Sequence, residues 1–297
     1  MLLAITYLLL GEADLPHLDP SSPGFFNGIW WSKEHTDEAF VVPDRAPSGE
    51  CPSDMIPVAG EMLDDDALGS WNAGSVEFLQ RTTCTNWIEK KFPERCASFD
   101  RDRWLSISAR FPRKSMSFCI DKYEWPNRKG SYPWVMVTWP EAHELCWSVG
   151  KRMCSEDEWT FACEGEEATP FPYGYTRNSA ECNLDNPWKK YSSKALAERG
   201  SEKCSKELDR LWQGKRSGSS PSCASSFGVE DMNGSVDEWT ESTRGGKYPS
   251  ILKGGYWSTV RARCRPSTRS HGPGHTFYQQ GFRCCSDIYD GEAHPQD

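Results

Sequence analysis

Thirteen cysteines in 297 residues are the strongest constraint on what this chain can become. They are scattered, with no paired CxxC motifs, which favours disulfides over zinc, and the odd number leaves at least one unpaired. Such usage is foreign to a reducing compartment, so the chain reads as extracytoplasmic, periplasmic or secreted. Cross-linked chains need little regular structure. With 24 Gly, 20 Pro and 14 Trp, a loop-rich fold pinned by aromatic anchors is expected.

Charge removes one class of partner. With 34 Lys and Arg against 43 Asp and Glu, the net charge of −9 offers no cationic field for nucleic acid. The one strongly apolar run, Met1–Leu10 (MLLAITYLLL), is about half the ~20 residues of a membrane span, so no span is expected. Its length suits a secretory signal, yet a basic flank and a small-x-small cleavage site are missing; it reads as a degraded or truncated signal, the alternative being a buried first strand. Residues 1–50 are expected to form this segment and an N-terminal arm rich in Pro, Asp and Ser, which Phe25, Phe26, Trp30 and Trp31 could dock. The main domain is expected over 51–288, with a tail over 289–297.

Periodicity places the elements. Met55–Ala59, Trp134–Val137, Ile251–Trp257 and Gly281–Cys285 read as short strands, and Phe118–Trp125 (FCIDKYEW) alternates like a half-buried one. Cys84 and Cys96 bracket a polar insertion and are guessed to pair. Thr138-Trp139-Pro140-Glu141 is a capping box opening a helix whose inner face is Ala142, Leu145, Cys146 and Val149, ended by Gly150. Ser155 and Glu158 form a second box, with Trp159, Ala162 and Cys163 on one face. On those faces Cys146 and Cys163 serve equally well as small core residues. Pro170–Ser250 reads as mostly loop.

Two stretches carry candidate chemistry. Asp231–Glu238 (DMNGSVDE) places carboxylates around a glycine turn, as a hard cation requires, although alone it is equally a solvated acidic turn. Arg261, Arg263, Arg265, Arg269 and His271 put four guanidiniums and an imidazole within eleven residues, able to fork onto a carboxylate, sulfate or phosphate or to pair with acids that lock loops. Strand alternation would send Arg261, Arg263 and Arg265 to one face. Trp257 and Trp239 are either aromatic platforms or core, with core favoured for Trp239. His271 and His275 enclose Gly-Pro-Gly, a weak metal pattern without a third ligand.

Six blocks in order, CPSDMIPVAG, FCIDKYEWPN, VTWPEAHELCWSVGKR, SEDEWTFACEG, GVEDMNGSVDEWT and the pair LKGGYW with GFRC, resemble the formylglycine-generating enzyme and sulfatase-modifying factor family, together with its pyoverdine-maturation and ergothioneine-synthase relatives. The resemblance implies an α+β, C-type-lectin-related fold with little regular structure and a surface groove. It implies disulfides Cys146–Cys284 and Cys163–Cys264. It also implies calcium held by the side chains of Asp231 and Glu238 and the carbonyls of Gly234 and Val236, with Asn183 and Leu184 matching the start of a second site.

The family's oxidases hold copper(I) with two thiolates just after the twin glycines, soft ligands for a soft ion. Gly254–Arg263 (GGYWSTVRAR) contains no cysteine, so copper is not expected here. The resemblance therefore implies an exported, calcium-supported module binding a peptide, glycan or small anionic ligand through a groove that includes Trp257 and the arginine cluster. The alternative is an active oxidoreductase of the family, either with a relocated metal site, for which Cys154 and Cys285 are the spare thiols, or of the pyoverdine type, for which a cysteine pair is not required.

Overall fold

Regular structure is short and distributed along the chain. The computed structural model describes residues 25–26, 30–34, 47–68 and 75–288. Met1–Leu10, where a signal was expected, and the tail over 289–297 lie outside the described residues. In chain order β1 (Phe25–Phe26) and β2 (Trp31–Ser32) precede β3 (Met55–Leu63), α1 (Val76–Arg81), the hairpin of β4 (Cys84–Glu89) and β5 (Arg95–Phe99), α2 (Arg101–Ser108) and β6 (Arg113–Asp121). Next come α3 (Trp139–Ser148), β7 (Arg152–Met153), α4 (Glu156–Glu164), α5 (Ser193–Leu196) and α6 (Glu202–Leu211). The C-terminal part adds β8 (Asp237–Glu241), β9 (Ser250–Lys253), β10 (Ser267–Thr268), β11 (Gln280–Phe282) and β12 (Cys284–Ser286). The fold is α+β.

Two four-stranded sheets organise it, in the orders β3-β6-β12-β7 and β10-β9-β8-β11. Strands β3 and β6 run antiparallel from Met55 opposite Asp121 to Leu63 opposite Arg113. Strand β11 pairs parallel with β8, placing Gly281 opposite Glu238. Arg283 alone separates β11 from β12, so the chain passes from one sheet to the other at that residue. Helix α3 buries Ala142, Leu145 and Cys146 against Trp239, Leu252 and Phe282, while α4 packs Trp159, Ala162 and Cys163 against Val58, Phe118 and Ile120.

Both capping boxes form, with Thr138 and Ser155 each exchanging hydrogen bonds with the glutamate three residues on. Other expectations shift for physical reasons. Strand β6 starts at Arg113, and Phe118–Asp121 is buried on both faces rather than alternating. Phe118 and Ile120 join the α4 cluster, while Cys119 is bonded to Cys51 and Asp121 receives the Lys151 ammonium at 2.7 Å. Trp134–Val137 is buried but is not a strand; Val135 makes a single bridge to Trp31, and Trp134 stacks on Trp30 at 4.1 Å. The Ile251–Trp257 strand stops at Lys253, because Gly254 and Gly255 adopt φ of +87° and +72°. Within the stretch read as loop, α6 presents Cys204, Leu208 and Leu211 to the interior.

Among the described residues twelve cysteines form six disulfides. The implied pairs Cys146–Cys284 and Cys163–Cys264 are present, and Cys84 does pair with Cys96. The first two close separations of 138 and 101 residues, worth roughly 4–5 kcal/mol each in the chain-entropy account. Cys51–Cys119, Cys154–Cys285 and Cys182–Cys223 complete the set, leaving Cys204 as a buried thiol.

Candidate functional site

The two glycines after β9 create a cavity by turning the chain back on itself. A Cβ on Gly254 would meet the Met232 carbonyl at 2.7 Å, and one on Gly255 would meet the Ala262 Cβ at 2.9 Å, so only glycine lets the returning segment approach this closely. The resulting cavity of about 210 Å³ has Leu252 and the glycines as its base and Asp237 and Tyr256 beside them. Arg261 and Arg263 enter from the returning chain, and Phe92 and Pro93 from the tip of the β4–β5 hairpin. Burial pushes the Asp237 carboxyl up to about 7, against hydrogen bonds from Gln279 and the Gly255 N–H.

The arginine cluster divides in two. Arg265 forks onto Glu164 at 2.7 and 2.5 Å and donates to Asp65 at 2.9 Å. Arg269 pairs with Glu156 and donates to Ser242 at 2.9 Å. Both lock loops. Arg261 lies 5.6 Å from the Phe92 ring centre and donates to the Ser267 carbonyl at 3.2 Å and Glu77 at 3.4 Å. Arg263 is only 3% exposed, lies over Phe99, and reaches Gln80 Oε1 at 3.3 Å and Glu77 at 3.5 Å. Burial lowers its pKa to about 10, with Arg261 and Arg81 adding to the fall against the attraction of Glu77. The expected common face of 261, 263 and 265 is not formed, because this segment joins no strand ladder and Arg265 turns to Glu164.

The other groove candidates lie elsewhere. Trp257 is 1% exposed and packs on Trp212 at 5.0 Å and on Tyr278, as core. Trp239 is also core, its indole donating to the Val137 carbonyl at 2.9 Å. His271 stacks on His275 at 4.0 Å, and the His275 Nδ1 meets Gln280.

The acidic turn is built from left-handed backbone, with φ of +60° at Asp231, +78° at Gly234 and +56° at Ser235. Asp231 Oδ2 accepts the Gly218 N–H at 2.7 Å. Glu238 is fully buried and accepts the Trp159 indole at 2.7 Å as well as the Arg283 fork. The Val236 N–H donates to Glu124 Oε1 at 3.1 Å. Glu124 Oε2 and Asn233 Oδ1 are buried without a hydrogen-bond partner among the described residues. Burial drives the Glu124 carboxyl well above its usual range, reinforced by Asp231 and Glu238, and burial pushes Asp231 to about 6. Asn183 and Leu184 pack against Gly234, and the Asn183 carbonyl accepts the Ser235 N–H at 2.9 Å. The Asn183 side chain is spent on Gln213 and Asn186.

This donor set is all oxygen, with two buried oxygens unmatched, which suits a hard cation. Glu238 is its least free member, because Arg283 occupies both its oxygens. No three His, Cys, Asp or Glu side chains among the described residues converge as a metal cage, so a cation here depends on backbone carbonyls as well. Sequence reasoning gave no role to Glu124, Asp237, Arg283 or Phe92. Glu124, Asp237 and Arg283 sit inside blocks that carried the resemblance, and Asp237 also belongs to the acidic turn, which was the only signal they gave.

Thiolate chemistry has no donors at the cavity. Cys264, the first cysteine after the glycines, is bonded to Cys163, and Cys154 is bonded to Cys285. Cys204 lies on α6, its thiol facing the Leu196 carbonyl at 3.8 Å, and burial pushes it up to about 11. The residues present do not fit the copper site of the oxidases.

A family model described as the sulfatase-modifying factor enzyme 1-like domain matches residues 83–288. The inactive C-alpha-formylglycine-generating enzyme 2 of Mus musculus is 30% identical over 174 residues, covering 54% of this chain and 51% of that protein. The Bos taurus protein of the same name is also 30% identical, with 54% and 52% covered. The chain thus spans about half the length of these curated relatives. Among solved structures, PvdO from Pseudomonas aeruginosa is similar at TM-score 0.44 and 17% identity, over 83% of this chain and 99% of that one. CarF is similar at TM-score 0.43 and 14% identity, over 61% and 90%. With the domain match spanning most of the chain, this protein belongs to the formylglycine-generating, sulfatase-modifying-factor family and has its fold.

Proposed function

We propose that this chain is an exported family member that binds a ligand and does not oxidise cysteine. One observation carries the reading: where the oxidases place their thiolates, this chain places Arg261 and Arg263 around a cavity, and the next sulfur, Cys264, is locked to Cys163. A copper(I) site needs soft ligands that this cavity lacks. The names of the mouse and cattle relatives, both called inactive, support the same direction. Six disulfides support export. No helix among the described residues is long and apolar enough to cross a membrane.

Calcium fits as structural support. Asp231 with the carbonyls of Gly234 and Val236 would hold it, and the buried Glu124 and Asn233 oxygens, without a hydrogen-bond partner among the described residues, support this reading as spare oxygen donors. The ligand is a peptide, glycan or small anion entering beside the twin glycines. The test is oxidation of a Cys-x-Pro-x-Arg peptide under oxygen with supplied copper(I). No aldehyde is expected, and aldehyde formation above background overturns the reading.

A further inference from the structure

We infer that the cavity beside Gly254 and Gly255 binds a small organic monocarboxylate with an apolar body. The inference rests on the reading that this face binds a ligand and does not oxidise one. Its starting point is the contrast between two neighbouring arginines. Arg265 is neutralised at close range by Glu164 and Asp65. Arg263, equally buried and lying over Phe99, has as its hydrogen-bond acceptors among the described residues the Gln80 amide oxygen at 3.3 Å and Glu77 at 3.5 Å, and it shares Glu77 with Arg261. Two guanidiniums therefore face one partly exposed carboxylate. A buried cation left short of counter-charge is costly, and a carboxylate supplies the missing charge in the planar two-pronged geometry that guanidinium prefers.

The other walls decide what the carboxylate is attached to. Phe92 is 81% exposed at the hairpin tip yet lines the cavity mouth beside Pro93, with Val260 and Leu252 further in. An apolar body is shielded there. Asp237 lines the same cavity and, above its raised pKa of about 7, opposes a second negative charge, which disfavours dicarboxylates and phosphate dianions. Size sets the limit. A cavity near 150 Å³ holds benzene, so about 210 Å³ admits roughly eight to nine non-hydrogen atoms.

The experiment is calorimetric titration of the full chain with benzoate, its neutral amide and the equally sized dianion glutarate. The acid should bind at least tenfold more tightly than either competitor. Arg261→Ala and Phe92→Ala should each weaken binding of the acid about tenfold while leaving the melting temperature near that of the parent, since neither side chain is fully buried. Arg263→Lys, which keeps the charge and loses the fork, should weaken it as well. Equal affinity for acid and amide, or affinity unchanged in Arg261→Ala and Phe92→Ala, overturns the inference. Absence of binding together with absence of peptide oxidation defeats only the carboxylate assignment, whereas aldehyde formation defeats the broader reading.

Discussion

Arg283 donates Nε to Glu238 Oε2 at 2.7 Å and Nη2 to Glu238 Oε1 at 2.8 Å, with both side chains shut away from solvent. The remaining guanidinium donors reach the carbonyls of Asp121, Lys122 and Glu230. One side chain thus ties β8 to the β6 end of the other sheet, at the residue where the chain crosses between them. Breaking a buried pair of this kind leaves an uncompensated charge, at about 3–5 kcal/mol. Glu238→Gln and Arg283→Met should each lose that much in urea unfolding, and Glu238→Met combined with Arg283→Leu should recover part of it. Single variants within 1 kcal/mol of the parent, on the order of a surface substitution, would contradict this account.

This pair also governs how calcium must be tested. Glu238→Ala strands Arg283 and destabilises the protein whether or not a cation binds. Asp231→Ala is the cleaner probe, because it leaves the Glu238–Arg283 fork in place and removes the acceptor of the buried Gly218 N–H, at about 1–3 kcal/mol. Chelator should lower the melting temperature of the parent and leave that of Asp231→Ala where it stands. A parent melting curve indifferent to chelator removes calcium from the site.

Lys253 supplies a pH dependence. It is 1% exposed, donates to the Arg265 carbonyl at 2.8 Å, and burial lowers its pKa to about 8 from 10.5. Between those values the unfolded chain binds the proton and the folded chain does not, so this group makes stability rise with pH across that window and exacts its full penalty below it. The stability difference between Lys253→Met and the parent should therefore shift in the parent's favour from pH 8 to pH 9.5. A difference independent of pH would show that Lys253 is not depressed.

Thiol chemistry offers a direct count. With twelve cysteines bonded and Cys204 buried, a thiol reagent should label no site in the native protein and one after unfolding without reductant. Cys204→Ala should abolish that label. Replacing Cys154 and Cys285 together by alanine should cost about 2–5 kcal/mol. Two labelled sites in the native protein would reopen the case for a thiolate metal centre.

Trp31 is fully buried and donates its indole N–H to Ser205 on α6 at 3.0 Å. The segment expected to be an arm is thus part of the core at this point. Trp31→Ala should cost about 3–5 kcal/mol, read by chemical denaturation. A loss near zero would show that the segment docks weakly.

Local rules carried much of the fold. The helices of Thr138 and Ser155 were legible because a capping box and a 3.6-residue apolar stripe are both written in neighbouring residues. Helix α6 was not, since its stripe of Cys204, Leu208 and Leu211 lies in a heavily charged stretch. Strand ends were misread where burial comes from distant segments, as at Phe118–Asp121 beneath α4 and Lys151.

From the residues followed the cross-linked character, the guessed Cys84–Cys96 pair, the family resemblance and the lack of thiols after the twin glycines, and the resemblance in turn implied the α+β class and two further disulfides; each depends on residue identity and order. Tertiary structure decided which of the clustered arginines are spent and which face a cavity, that Trp257 is core, and that the carboxylate of Glu238 belongs to Arg283. Pairing between charges tens of residues apart is set by which loops the disulfides and glycine turns bring together, and spacing along the chain does not encode that distance.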